Sequence, residues 1–208
     1  MRRPITAAVA LAALALLAGA CGGGGSKGGT SDTFVPGGDS VTTSGSATAT
    51  TSAEPASRSN PLAQRVFKYT SEPKAGPQKA AVQTLEDYFD GLVKAFATND
   101  VGSTGIRRLV STDLYKQAQD TIAGQVQGGY VLYGAYVFTI DPSDVQANVG
   151  VVNVCIDQHA TRRHDAETDK AGKLNDTPYV QLDYTLSHAT GPWQVTSVKG
   201  GKVQSCPA

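Results

Sequence analysis

Between Gln78 and Thr98 the apolar residues Val82, Leu85, Phe89, Leu92, Val93 and Phe96 recur at steps of three and four. That spacing predicts an amphipathic helix. Glu86, Asp87, Asp90 and Lys94 take its other face, with Asp90 and Lys94 as an i,i+4 pair. Pro77 suits the first turn, Gly91 is a mild liability inside the helix, and Asn99 or Gly102 ends it. A second helix is expected from Ser111 or Thr112 as N-cap, with Leu114, Ala118, Ile122 and Val126 on its buried face and Gly128-Gly129 as its stop. A short helical turn fits between Ser103 and Val110.

Beyond Gly129 the period changes to two. Tyr130 to Ile140 is aromatic and β-branched and reads as one long strand. Asp141-Pro142-Ser143-Asp144 reads as a turn, and Val145 to Ile156 as a second strand with Val145, Ala147, Val149, Val151 and Cys155 on one side. Asp157 to Asp176 is charged and glycine-containing, and is expected to be a long hairpin loop. Tyr179 to Ser187 alternates Val180, Leu182, Tyr184 and Leu186 against Gln181, Asp183 and Thr185, a third strand. Trp193 to Lys199 supplies a fourth after the Ala189-Thr190-Gly191-Pro192 turn. The expected fold is therefore α+β: N-terminal helices packed on a curved four-stranded antiparallel sheet. A sheet with one apolar face needs a cover, and the long helix is that cover.

The folded part is expected from Pro77 to Ala208, about 130 residues, the size of one domain. Residues 22 to about 60 are rich in Gly, Ser, Thr, Ala and Pro, and cannot bury enough apolar surface to offset their ordering entropy. They read as a flexible tether, with a Ser/Thr cluster able to accept O-linked sugars. A linker of this length spans roughly 35–40 Å. Asn60 to Gly76 carries Leu62, Val66, Phe67 and Tyr69 between prolines, and is expected to flank the domain and lie against it.

The first 20 residues are a leader. Arg2 and Arg3 give a basic start, Ile5 to Leu17 an apolar core, and Ala18-Gly19-Ala20 the small residues before Cys21. The segment resembles a bacterial lipoprotein signal, with Ala18 where the motif usually has Leu. The resemblance implies that Cys21 is lipidated and becomes the first residue of the mature protein. It places the protein on the outer face of the cell membrane, held by membrane lipid. An uncleaved membrane helix is the competing reading, but the apolar run falls short of the ~20 residues that reading needs. A plain signal peptide followed by an ordinary cysteine is the other.

Cys155 and Cys206 remain once Cys21 is set aside. In an exported protein such a pair is most simply a disulfide, joining the second strand to the C-terminal tail. No CxxC spacing supports a redox pair, and no matching His/Cys cluster supports a metal site. Lys plus Arg balance Asp plus Glu at 18 each, and loss of the leader removes Arg2 and Arg3, so no basic stripe for nucleic acid exists.

The order of helices followed by a meander resembles the nuclear transport factor 2-like superfamily, in which a curved sheet wraps a long helix into a cone. The residues that carry the likeness are Tyr88-Phe89-Asp90 with Ala95 to Asp100 at the helix end, and Gly191 to Val195 in the last strand. A cystatin-like roll is the nearest alternative. Enzymatic relatives in that superfamily place an acid or base inside the cone beside a Tyr or Asp donor. Tyr88, Tyr136, Asp183 and Tyr184 are the positions to weigh, but none falls in a motif that assigns it a role, and Asp183 alternates away from the apolar face. His159 and His164 flank Arg162 and Arg163 near Asp157, Asp165, Glu167 and Asp169. That run reads as a solvated hairpin tip rather than a metal site. His188 has no partner in sequence, and Trp193 reads as a packing anchor.

The sequence thus points to a non-enzymatic binding or accessory module with no cofactor, whose partner is an envelope protein or a small apolar ligand. A cone-fold isomerase or hydrolase is the alternative, and a spacer-like structural protein the third reading.

Overall fold

The computed structural model describes residues 54–189 and 191–206. The leader, Cys21 and the Gly/Ser/Thr-rich segment as far as residue 53 lie outside the described residues; residues 54–60, expected as the end of the flexible tether, instead meet the domain, with a turn at Ser57–Asn60 and Arg58 donating to the Ala166 carbonyl at 2.7 Å. The chain is α+β: β1 (Arg65–Tyr69), α1 (Pro77–Thr98), α2 (Thr112–Gln127), β2 (Tyr130–Gly134), β3 (Tyr136–Val145), β4 (Val149–Asp157), β5 (Thr161–Asp165), β6 (Ala171–Leu174), β7 (Tyr179–Ser187) and β8 (Gln194–Lys202). Two 3₁₀ turns, Gly102–Thr104 and Ile106–Arg108, join the helices.

The strands form two sheets. One has five strands in the order β1-β3-β4-β7-β8, and the other three in the order β2-β5-β6. The antiparallel meander β3-β4-β7-β8 is present as expected, but β1 extends it by pairing parallel with β3, Arg65 opposite Tyr136 and Tyr69 opposite Ile140. The sheet is therefore mixed and five-stranded, not four-stranded and antiparallel. The flank before Pro77 does more than lie against the domain: it forms an edge strand. Arg65 donates to Asp90 on α1 at 2.8 Å, and the Tyr69 hydroxyl bonds Glu86 one turn earlier. Phe67 reaches the core, its ring 5.2 Å from that of Phe138.

Three further expectations change. The long strand from Tyr130 is two strands in different sheets. Gly134 makes the break: its φ of 150° disfavours any side chain, and a Cβ there would lie 2.4 Å from the Ala160 carbonyl oxygen. The charged segment after Asp157 is not a plain loop. It folds into the β5–β6 hairpin, which gives β2 an antiparallel partner, Val131 opposite His164. The Asp141–Asp144 segment is a bulge within β3, where the register with β4 shifts, and the chain reverses at Gln146. Pro142 cannot donate to a ladder and is accommodated at such an irregularity. The Asp141 carboxylate takes the Ser143 N–H at 3.0 Å.

The core lies between α1 and the five-stranded sheet. Val82, Leu85, Phe89, Leu92, Val93 and Phe96 are all buried, as their spacing predicts, and Ala81, Tyr88 and Ala95 widen the buried arc. Phe89 stacks on Phe138 at 4.4 Å and meets the Tyr184 ring edge-on at 5.2 Å. Asn99 closes α1 in the left-handed conformation with φ 58°. Ser111 caps α2, accepting from the Leu114 N–H at 3.4 Å. Leu114, Ala118 and Ile122 are buried, but Val126 is exposed: in the last turn of α2 the buried position is Gln125, which donates to the Asn99 side chain, and Val126 turns away from it. No described helix is long and apolar enough to cross a membrane.

Candidate functional site

Strand parity decides which face of the large sheet is core and which is open. Val152, Val154 and Ile156 of β4 are buried, with Val180, Leu182, Tyr184 and Leu186 of β7 beside them. The side of β4 that carries Val149, Val151 and Cys155 is therefore the outer side. Val149 and Val151 are exposed there. Cys155 is buried for a separate reason: it is bonded to Cys206, with Cα atoms 5.5 Å apart, so the C-terminal tail covers it. A bond between residues 51 apart restricts the unfolded chain by about 4 kcal/mol of loop-closure entropy.

This outer face carries an open groove of about 510 Å³ across β3, β4 and β7. Polar and apolar atoms share its lining. Gln181 donates to the Asn153 amide oxygen at 2.9 Å, and Asn153 donates to the Asp183 carboxylate at 2.6 Å. The cross-strand register makes this ladder possible: Asp141, Asn153 and Asp183 stand opposite one another in one row, and Thr139, Cys155 and Gln181 in the next. Asp144, Ser143 and Thr70 complete one side of the groove, and Val151 supplies apolar surface. Asp183 is thus an outer-face carboxylate, as its alternation predicts, but it is part of a hydrogen-bonded set rather than isolated.

The remaining sequence candidates lie elsewhere. Tyr88, Tyr136 and Tyr184 are buried in the aromatic core. Burial pushes all three hydroxyls well above the usual phenol range. The Tyr136 hydroxyl has no hydrogen-bond partner among the described residues. His159 pairs with Asp157 at 2.6 Å, while His164 stacks on Tyr133 at 3.8 Å and lies 3.3 Å from the Asp169 carbonyl. Among the described residues these groups do not converge into a metal-holding cluster. His188 stacks on Trp193, whose ring is buried as an anchor of the core.

Sequence pattern alone missed Asn153, Gln181 and Asp141 as a set. The available signal was Asn153 itself, a single amide interrupting the apolar run Val149 to Ile156. With the correct parity, it faces outward beside Gln181 and Asp183.

No family model matches this chain, and no curated protein sequence matches it. Among solved structures, the intermembrane space region of the chloroplast protein ARC6 is similar over 63% of this chain and 100% of that one, at 16% identity and a TM-score of 0.45. A likeness this distant carries no argument about function.

Proposed function

We propose that this chain is a lipid-anchored extracytoplasmic binding or accessory module without catalytic activity, held to the outer face of the cell membrane through Cys21. The observation that carries the non-catalytic reading is the filling of the interior. Where a cone-fold enzyme needs a pocket with an acid or base, the rings of Phe67, Tyr88, Phe89, Phe138 and Tyr184 form one cluster, neighbouring centroids 4.4–6.4 Å apart. The polar groups of this ring cluster are tyrosine hydroxyls that hold their protons well above neutral pH, so they supply no base, and no carboxylate or imidazole belongs to the cluster. The polar groove faces outward instead, where a macromolecular partner can reach it. On this reading the five-stranded sheet is a cone-type sheet wrapped on α1, with β1 as an added edge, and the envelope partner meets its outer face.

Photo-crosslinking on intact cells tests the reading. A crosslinking residue at Val151 should give a discrete protein adduct, and one at the exposed Val126 on α2 should not. Equal labelling from both positions, or turnover of a small apolar substrate by the purified chain, would overturn it.

A further inference from the structure

Buried polar side chains gather where the β5–β6 hairpin leaves the large sheet. Two irregular stretches meet there, 158–160 between β4 and β5 and 175–178 between β6 and β7. Gln158, Thr161 and Thr177 are three of the four buried polar residues among the described ones, so the junction is the main polar site of the interior. A ring of hydrogen bonds ties them together. The Thr161 hydroxyl donates to the Gln158 carbonyl at 2.8 Å, and the Gln158 side-chain amide donates to the Thr177 carbonyl at 2.8 Å. The Thr177 N–H donates to the Asn175 side-chain oxygen at 3.1 Å, and the Asn175 N–H closes the ring on the Thr161 carbonyl at 2.9 Å. Three buried atoms of the ring have no partner among the described residues: Gln158 Oε1, Asn175 Nδ2 and Thr177 Oγ1. Buried polar groups are rarely left unpaired, and three at one junction call for a shared partner.

The bonds already made decide what that partner is. Asn175 Oδ1 is taken by the Thr177 N–H, so its Nδ2 is left as a donor. Gln158 Nε2 is spent on the Thr177 carbonyl, so its Oε1 is left as an acceptor. The Thr177 hydroxyl can act either way. A cation would meet the Asn175 donor, and an anion would meet the Gln158 oxygen. No charged side chain belongs to the ring to offset either one. A neutral group that both donates and accepts suits all three atoms. Buried water is such a group, and it typically makes about three hydrogen bonds.

We propose that this junction is a binding site for one buried water molecule, which accepts from Asn175 Nδ2, donates to Gln158 Oε1 and shares a hydrogen bond with the Thr177 hydroxyl. The water joins the stretch after β4 to the stretch before β7. It thereby holds the hairpin that pairs with β2 at a fixed attitude to the large sheet. The inference is independent of the binding-module reading.

The test compares the full chain with its Thr177→Val and Thr177→Ser variants by magnetic relaxation dispersion of the water oxygen, whose amplitude counts water molecules held inside a protein. Valine keeps the shape of threonine but sets a methyl where the hydroxyl meets the water, so the amplitude should fall by one molecule. Serine keeps the hydroxyl, and the amplitude should stay. Thr177→Val should also unfold at a lower urea concentration, because the water and its remaining partners lose a bond. A dry junction gives the opposite sign: removing an unpaired buried hydroxyl leaves the urea midpoint unchanged or raises it. Equal amplitudes in the parent chain and Thr177→Val, or a Thr177→Val midpoint at or above that of the parent, overturns the proposal. Should Thr177→Val fail to fold, a crystal of the parent chain decides in its place: ordered density between Gln158, Asn175 and Thr177 supports the site, and direct contact among the three side chains overturns it.

Discussion

Gly91 shows how a residue can reverse its meaning between sequence and structure. In sequence it is a weak point of a helix, and replacing it with Ala should add up to about 1 kcal/mol of helix propensity. In the fold, a Cβ at Gly91 would sit 2.0 Å from Cγ2 of Ile106, a fully buried side chain with no room to move. Gly91 is the notch into which the second 3₁₀ turn packs. Gly91→Ala should therefore destabilise the protein by about 1–3 kcal/mol, as overpacking does, despite the better helix former. Chemical denaturation of the two proteins checks the sign. Sequence alone shows the propensity cost but not the neighbour, because Ile106 arrives from outside the helix. The buried face of α1 was legible for the opposite reason: a period of three and four is local information.

At the scale of elements, edges and joins were the part that local pattern did not reveal. Strand β1 is five residues between two proline-containing stretches, too short to stand alone, and it exists because β3 offers a parallel edge and α1 offers Asp90 and Glu86. The β5–β6 hairpin is rich in charge because β6 is exposed throughout, so hydrophobic alternation never marks it. On β4 the run of valines on both faces hid the parity, and with it the groove. Propensity and period do not choose between faces when both are apolar.

The clasp of β1 to α1 has a testable pH signature. Burial pushes the Asp90 carboxyl above its usual value, against the opposing pull of Arg65. A raised carboxyl binds its proton more tightly folded than unfolded, so its contribution to stability is full at low pH and is lost as pH rises through the raised folded value. Arg65→Ala removes the pull and leaves a half-buried carboxylate unpaired. It should destabilise by about 1–3 kcal/mol near neutral pH. The loss should be smaller near pH 4, where Asp90 takes up a proton. Urea titrations of both proteins at the two pH values read this difference. An equal loss at both would remove the ion pair from the account of how β1 is held.

For the whole molecule, the aromatic core ties stability to alkaline pH. The Tyr69 and Tyr133 hydroxyls are pushed up to about 12, chiefly by burial and then by the carboxylates of Glu86 and Asp169. Tyr88, Tyr136 and Tyr184 are raised by burial as well. Each folded-state value lies above the unfolded value near 10, so this stabilisation is intact below about pH 10 and is lost as pH climbs through the folded values. Circular dichroism against pH should stay flat through neutrality and fall cooperatively above about pH 10, with tyrosinate absorbance rising in the same step. Replacing Tyr69 with Phe should make that fall shallower.

The same scale joins the domain to its setting. A disulfide between Cys155 and Cys206 suits an oxidising compartment, and Cys21 is the one cysteine of the three outside that bond. On the lipid-anchor proposal that thiol carries lipid, and the grooved face on β3, β4 and β7, proposed to meet a partner, works close to a membrane surface. Fractionation of cells expressing the full chain or its Cys21→Ala variant tests this most directly. The proposal predicts that the full chain sediments with membranes, resists extraction by high salt and is freed by detergent, whereas Cys21→Ala appears in the soluble extracytoplasmic fraction. Equal membrane retention of the variant would contradict it.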